Sequence, residues 1–356
     1  MPKVTSAPLL LSIITILAAG WALSDFTIRA QQNANQMKPA RPASASQVQP
    51  RAVNLQPSDE LQKLMTRTAH TVLDEWKERG LKDENLAITL IDLSDERAAF
   101  PTASFRGGEG IYPASVVKMF YLAATHRQLE DGELRDTPEL RRALRDMIVD
   151  SSNDATHYIL DALTKTSSGV ELPESEIKDW ADKRNRVNRY FSALGYTKIN
   201  VNQKTYCEDI YGRDRIFRGA NGENRNRLTT EATARLLAEI VMLRHVNAAR
   251  SREMMELLKR DPYRTSGDAD DQSRGFTGRA LSGEAANSLN GGAGLPGVRL
   301  WSKAGWTSTT RHDAAYLELP NGRRFVLVTY TTNHANEKDI IPTVAREIIG
   351  YFTQSK

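Results

Sequence analysis

The sequence predicts an α/β fold: an antiparallel sheet built from N- and C-terminal segments and flanked by helices, with a mainly helical lobe inserted between them. Three observations carry that prediction. A helical repeat followed by an apolar strand opens the folded part. Three strand-like runs and an apolar-faced helix close the chain. Everything between reads as helices joined by polar loops.

The 356 residues do not begin with fold. Lys3 precedes an apolar run over 7–23 that reads as a secretory segment. Ile28-Arg29-Ala30 is a poor cleavage site, and the run is about long enough to cross a bilayer at the lower limit of roughly 17 residues. Residues 1–30 are therefore expected to be a cleaved signal peptide or an uncleaved anchor, and the body of the protein to be exported, periplasmic or extracellular. Residues 31–57, rich in Gln, Ala, Pro, Ser and Asn, have almost none of the large apolar side chains that a core requires and are expected to form a disordered tether. Residues 58–356 make one domain, with an α/β lobe over about 58–113 and 297–356 and a helical lobe over about 114–296.

Within that domain Leu61, Leu64, Met65, Ala69, Val72, Leu73 and Trp76 recur at helical spacing, with Gly80 as the stop. Residues 86–93 form a strand, and a second is expected near 97–100. Pro113 stands ahead of a helix over 115–126. Helices are expected over 141–149, 155–163, 180–194 and 230–243, and a long irregular stretch over 262–297. Strands follow at 298–304, 314–319 and 324–331, the last two joined at Pro320-Asn321-Gly322. A helix over 340–352 closes the chain.

Composition narrows the function. The net charge of +4 comes from mixed charges, with no basic block, so a nucleic-acid partner is not expected. Cys207 is the only cysteine and reads as a packed, inert thiol. His70, His126, His157, His245, His312 and His334 show no metal-ligand spacing, and no Gly-x-Ser-x-Gly elbow occurs; neither metal nor cofactor is expected.

Three short words carry chemistry. Ser115-Val-Val-Lys118 puts a hydroxyl and an amine on one face of a helix turn. There the positive helix end stabilises an alkoxide, and a desolvated lysine can take its proton. Ser175-Glu-Ile-Lys178 has the same spacing but follows Leu-Pro-Glu and lacks an apolar helix behind it. Ser151-Ser152-Asn153 supplies a hydroxyl able to protonate a leaving nitrogen and an amide able to hold a carbonyl, although Ser and Asn are also the preferred helix caps. Lys303-Ala304-Gly305 puts a cation at a strand end beside a glycine that lets a substrate backbone approach. The backbone N–H of Trp306 and that of Ser115 are candidates for an oxyanion hole.

In their order and context these words resemble the serine penicillin-recognising enzymes, and most closely the class A β-lactamase family. The resemblance spans roughly Leu61 to Phe352 and is detailed over 112–120, 151–160 and 301–332. It implies that Ser115 is the acylated nucleophile, Lys118 its proton acceptor and Ser151 the donor to the leaving nitrogen. By the same resemblance Asn153 binds a substrate carbonyl, Lys303 attracts the substrate carboxylate, and Gly305 and Trp306 line the strand edge. The implied substrate is a β-lactam or a peptidoglycan-like small molecule.

Two departures bear on the mechanism. Ala304 stands where the family carries Thr or Ser, which removes a hydroxyl; Arg311 is a candidate for partial compensation. The Glu-x-x-Leu-Asn word that activates the deacylating water is missing from 198–209, where Glu208 and Asp209 are the nearest carboxylates and Glu208 is the candidate base. Three functions stay open: a β-lactamase-like serine hydrolase, a D,D-peptidase or esterase with slow deacylation, and a non-catalytic envelope-binding module.

Overall fold

The structure, a computed structural model, describes residues 52–96, 99–206, 208–282 and 294–354. The expected signal or anchor and Cys207 lie outside the described residues. Among the described residues no helix is long and apolar enough to cross a membrane.

Strand β1 (Leu55–Pro57) leads into helix α1 (Asp59–Glu75), whose first turn carries Asp59 and Glu60 and whose cap, Ser58, accepts the Leu61 amide at 3.3 Å. Its apolar repeat is buried along one face, as the periodicity requires. Strands β2 (Leu86–Asp92) and β3 (Phe100–Phe105) follow. A 3₁₀ turn over Ala114–Val116 runs into α2 (Val117–Glu130), which is buried on nearly every side. The chain then runs through α3 (Pro138–Ile148), α4 (Asn153–Thr164), α5 (Glu174–Arg184), α6 (Arg186–Ala193), α7 (Gly212–Arg218), α8 (Thr230–Val241) and α9 (Ala248–Leu258). The chain returns through β4 (Lys259–Arg260), β5 (Arg299–Trp306), β6 (Thr310–Glu318) and β7 (Arg324–Thr332) to α10 (Ile340–Gln354).

The seven strands form one sheet in the order β1-β3-β2-β7-β6-β5-β4. The N-terminal β2 pairs along its whole length with the C-terminal β7, Leu86 opposite Thr331 through Asp92 opposite Phe325. Both ends of the chain therefore complete one sheet. Side-chain alternation sorts its two faces. Leu86, Ile88, Leu90, Leu300, Leu317 and Leu327 pack in the cluster that holds α1 and α10. Ala87, Ile91, Trp301, Tyr316, Val326 and Val328 pack in the cluster that holds α2 and α8. Lys303 and Gly305 share the parity of Trp301 and so face α2, whereas Ala304 faces α10.

Several expectations need correction. The tether was expected to run to residue 57, but Leu55–Pro57 pairs with Phe100–Thr102, and the Phe100 amide donates to the Asn54 carbonyl at 2.8 Å. That pairing is parallel, so the sheet is mixed rather than wholly antiparallel. Pro57 is tolerated because β1 is an edge strand. The strand expected near 97–100 begins instead at Phe100. The single helix expected over 180–194 is two, broken at Asn185, whose side-chain amide donates to the Ala181 carbonyl and whose side-chain oxygen accepts from Asn188 and Asn202. Such local side-chain bonding competes with a helix ladder.

Candidate active site

Ser115 sits in the 3₁₀ turn that opens α2, where the Val116 amide donates to the Pro113 carbonyl at 3.1 Å. Ala114, just before it, is held at a φ of 47°, a left-handed conformation that costs an L-residue about 1–2 kcal/mol. Ser151 has a φ of 56°, so two of the chemistry-bearing words are built on strained backbone. Gly305 of β5 lies against the serine turn. A Cβ added there would stand 2.7 Å from the Ser115 nitrogen, 2.8 Å from the Val116 nitrogen and 2.9 Å from the Pro113 oxygen. Glycine is needed because the strand approaches the backbone of the turn this closely.

His312, opposite Gly305 on β6, braces the same junction. Its Nε2–H donates to the Tyr112 carbonyl at 2.9 Å while its Nδ1 accepts the Thr331 amide at 3.2 Å, which fixes one neutral tautomer. Burial holds its pKa down at about 4.

Lys118, one helical turn after Ser115, is fully buried. Its Nζ donates to the Ser151 carbonyl at 2.5 Å, to Asn153 Oδ1 at 2.7 Å and to Ser151 Oγ at 3.3 Å. From the other side, fully buried Lys303 donates to Ser151 Oγ at 3.0 Å, to the Ala304 carbonyl at 2.8 Å and to Gln272 Oε1 at 2.5 Å. One hydroxyl is thus shared by two buried amines. Burial holds Lys303 well below the ordinary lysine range, and the positive charge of Lys118 adds to the effect.

The capping role falls to Ser152, whose Oγ accepts the Ala155 amide at 3.1 Å and leaves the side chains of Ser151 and Asn153 to the lysines. The competing word behaves otherwise: Lys178 forms an exposed pair with Glu174 within α5.

The Ala304 amide donates to Gln272 Oε1 at 3.3 Å, away from β6. Amides two residues apart on a strand point to the same side, so that of Trp306 faces the same free edge, past the end of β4. Trp306 is 37% exposed, and its ring lies 5.7 Å from that of Phe276. Ala304 packs with Phe276 and Ile341. Arg311, considered above as a substitute for the missing hydroxyl, has another task. Its buried guanidinium donates to Asp270 Oδ1 and to the carbonyls of Ala269 and Gly275, and it lies 3.9 Å over the Phe276 ring.

Glu208 and Asp209 are exposed. They line a small cavity of about 110 Å³ together with Tyr112, Gln203, Arg218 and Arg225. Arg225 stacks 3.7 Å over Tyr112. Gln272 is the site residue that sequence reasoning missed, because it lies in the irregular stretch and belongs to no motif. Among the described residues no cluster of His, Cys, Asp and Glu is arranged to hold a metal ion.

The fold and the paired lysines define a relative of the serine acyl-transfer enzymes. The profile of the Beta-lactamase enzyme family matches residues 136–352, more than half of the chain, and the chain belongs to that family. The match takes in Ser151, Asn153 and Lys303 and begins after Lys118. The structure is similar to a β-lactamase from Sphaerobacter thermophilus, with a TM-score of 0.57 at 16% identity, covering 82% of this chain and 98% of that one. It is also similar to PBP-A, with a TM-score of 0.53 at 16% identity, covering 86% and 100%. A PBP-A variant in an acyl-enzyme complex with penicillin G gives 0.53 at 17%, covering 84% and 98%. These likenesses are in fold. No curated protein matches the chain by sequence.

Proposed function

We propose that this protein is a serine hydrolase that opens β-lactam or related amide bonds through an ester on Ser115. The observation that carries the reading is the Ser151 hydroxyl held between the amines of Lys118 and Lys303. In this mechanism Lys118, having first given up a proton, takes that of Ser115 as its Oγ attacks the carbonyl carbon. The amides of Ser115 and Trp306 hold the developing oxyanion. The C–N bond then breaks, and Ser151 gives its proton to the leaving nitrogen and recovers one from the lysine side. Asn153 Oδ1, already bonded to Lys118, orients that amine. Water completes hydrolysis by attacking the ester.

The last step is where a second reading gains support. The word for a water-activating glutamate is missing from 198–209, and Glu208 and Asp209 are exposed. An ester formed here would outlast the leaving group, as in a penicillin-binding D,D-peptidase or esterase. The penicillin G acyl-enzyme reported for the PBP-A variant lends support to that variant of the reading. The apolar run over 7–23 supports an exported protein.

Incubation with a chromogenic cephalosporin, followed by product release and intact mass, tests the proposal. Sustained turnover that disappears in Ser115→Ala supports the hydrolase. One equivalent of product with a stable adduct on Ser115 supports the slow-deacylating enzyme. Neither adduct nor turnover with any lactam or ester would sink both.

A further inference from the structure

Gln272 stands where a substrate anion would meet Lys303. Its Oε1 accepts from Lys303 Nζ at 2.5 Å and from the Ala304 amide at 3.3 Å, two donors that a bound carboxylate would use. Its Nε2 donates to the carbonyls of Val149 at 2.8 Å and Ile148 at 3.2 Å, at the end of α3. A side-chain amide suits both neighbours at once. A carboxylate in its place would satisfy the lysine but face two helix-end carbonyls, which carry partial negative charge.

The loop that carries Gln272 is fastened. Arg311 binds the Ala269 and Gly275 carbonyls on either side of it, and Asp270 binds Arg311 and Lys338. The Ser273 amide donates to Asp271 Oδ1 at 2.7 Å, and the Gly275 amide to the Asp271 carbonyl at 2.7 Å. A Cβ on Gly275 would fall 2.1 Å from the Ala269 oxygen, so the loop is closely fitted. The other buried cations nearby are also engaged. Arg311 is committed to the loop, and Arg260 donates to the carbonyls of Leu257, Lys259 and Ile148.

We infer that Gln272 is a specificity-determining residue, which fills the anion position at Lys303 and directs the site toward substrates whose end near β5 is uncharged. The inference rests on the proposed acyl-transfer site but makes a claim of its own, about which substrates fit. Lys303 keeps its bond to Ser151 without help from a substrate carboxylate.

Penicillin G and its methyl ester differ only at the relevant group. Their binding is measured by calorimetry on the Ser115→Ala protein, so that acylation plays no part. Protein carrying Gln272 is expected to bind the ester at least as tightly as the acid. Gln272→Ala is expected to move the acid-to-ester affinity ratio about ten-fold toward the acid, the effect of freeing a charged donor. Gln272→Glu is expected to move it the other way. Melting curves establish that each variant folds, and either variant alone decides. A preference of ten-fold or more for the acid with Gln272 in place, or a ratio that neither substitution moves, overturns the inference, as does failure of both compounds to bind. Intact mass on protein retaining Ser115 is read separately. Selective binding without an adduct would leave the specificity inference standing and remove the acyl-enzyme reading.

Discussion

Gly305 and the Ser115 backbone are in such close contact that a single methyl group on the glycine would reach 2.7 Å from the Ser115 nitrogen. No real Cβ contact to backbone is that short, and the obstacle is main chain on both sides. Gly305→Ala must therefore push β5 away from the serine turn. A displacement on the order of 1 Å costs about 100-fold in rate, and overpacking of this kind costs about 1–3 kcal/mol of stability. Acylation of Ser115, followed by mass, is expected to slow by that order while the protein still folds. An acylation rate within two-fold of the parent would show that the contact does not position the nucleophile.

Ser151 separates function from stability. Its hydroxyl is shared by Lys118 and Lys303, and its φ of 56° is unfavourable for a residue with a Cβ. Both Ser151→Ala and Ser151→Gly remove the hydroxyl and are expected to lower acylation by about 100-fold or more. Only glycine relieves the backbone, so the glycine variant is expected to be more stable than the alanine variant by about 1 kcal/mol. Chemical denaturation of the pair measures that difference directly. Equal stability would mean that the left-handed backbone stores no strain.

His312 links acid stability to the same junction. Its pKa is lowered by burial to about 4, from an ordinary value of 6.5. Between those limits the unfolded chain binds a proton that the folded chain does not, so stability falls as pH falls from 6.5 toward 4. The full loss is about 3 kcal/mol, at about 1.4 kcal/mol for each unit. His312→Gln keeps an amide that can donate to the Tyr112 carbonyl and cannot titrate. Its unfolding free energy is expected to lack that part of the acid slope. Parallel slopes for parent and variant between pH 7 and 4 would assign the acid lability to other groups.

The parts of the fold visible in the sequence were those written in periodicity. The α1 repeat, the β2 run, the hairpin at Pro320-Asn321-Gly322 and α10 are each decided by neighbouring side chains, and each lies where the pattern puts it. The Leu319 amide donates to the Arg323 carbonyl at 2.8 Å across that turn, and Gly322 has a φ of 86°, which only a glycine adopts readily. Pairings over long sequence distances left no such mark. The parallel contact of β1 with β3 could not be read from the polar, proline-containing run around it. At the site the motif residues Lys118, Ser151, Asn153 and Lys303 come together, because order and spacing encode them. Gln272 was invisible for the opposite reason: its role depends on the Arg311 anchorage of a loop more than 30 positions away in the chain.

Ala304 tests the remaining difference between motif and structure. From the motif alone, Thr at this position should restore a hydroxyl for a substrate anion. In the structure the Ala304 side chain points to the α10 face, is fully buried and packs with Phe276 and Ile341. A threonine there would add a methyl group and a hydroxyl to an apolar contact, where an unsatisfied buried hydroxyl and overpacking each cost about 1–3 kcal/mol. It would also press on Phe276, which supports both Trp306 and the Arg311 guanidinium. Ala304→Thr is therefore expected to lower the melting temperature and to leave acylation by a carboxylate-bearing lactam unchanged or slower. A stable variant with acylation ten-fold faster would mean that the residue at 304 reaches the substrate, and that the strand edge is set by the motif rather than by the packing beneath it.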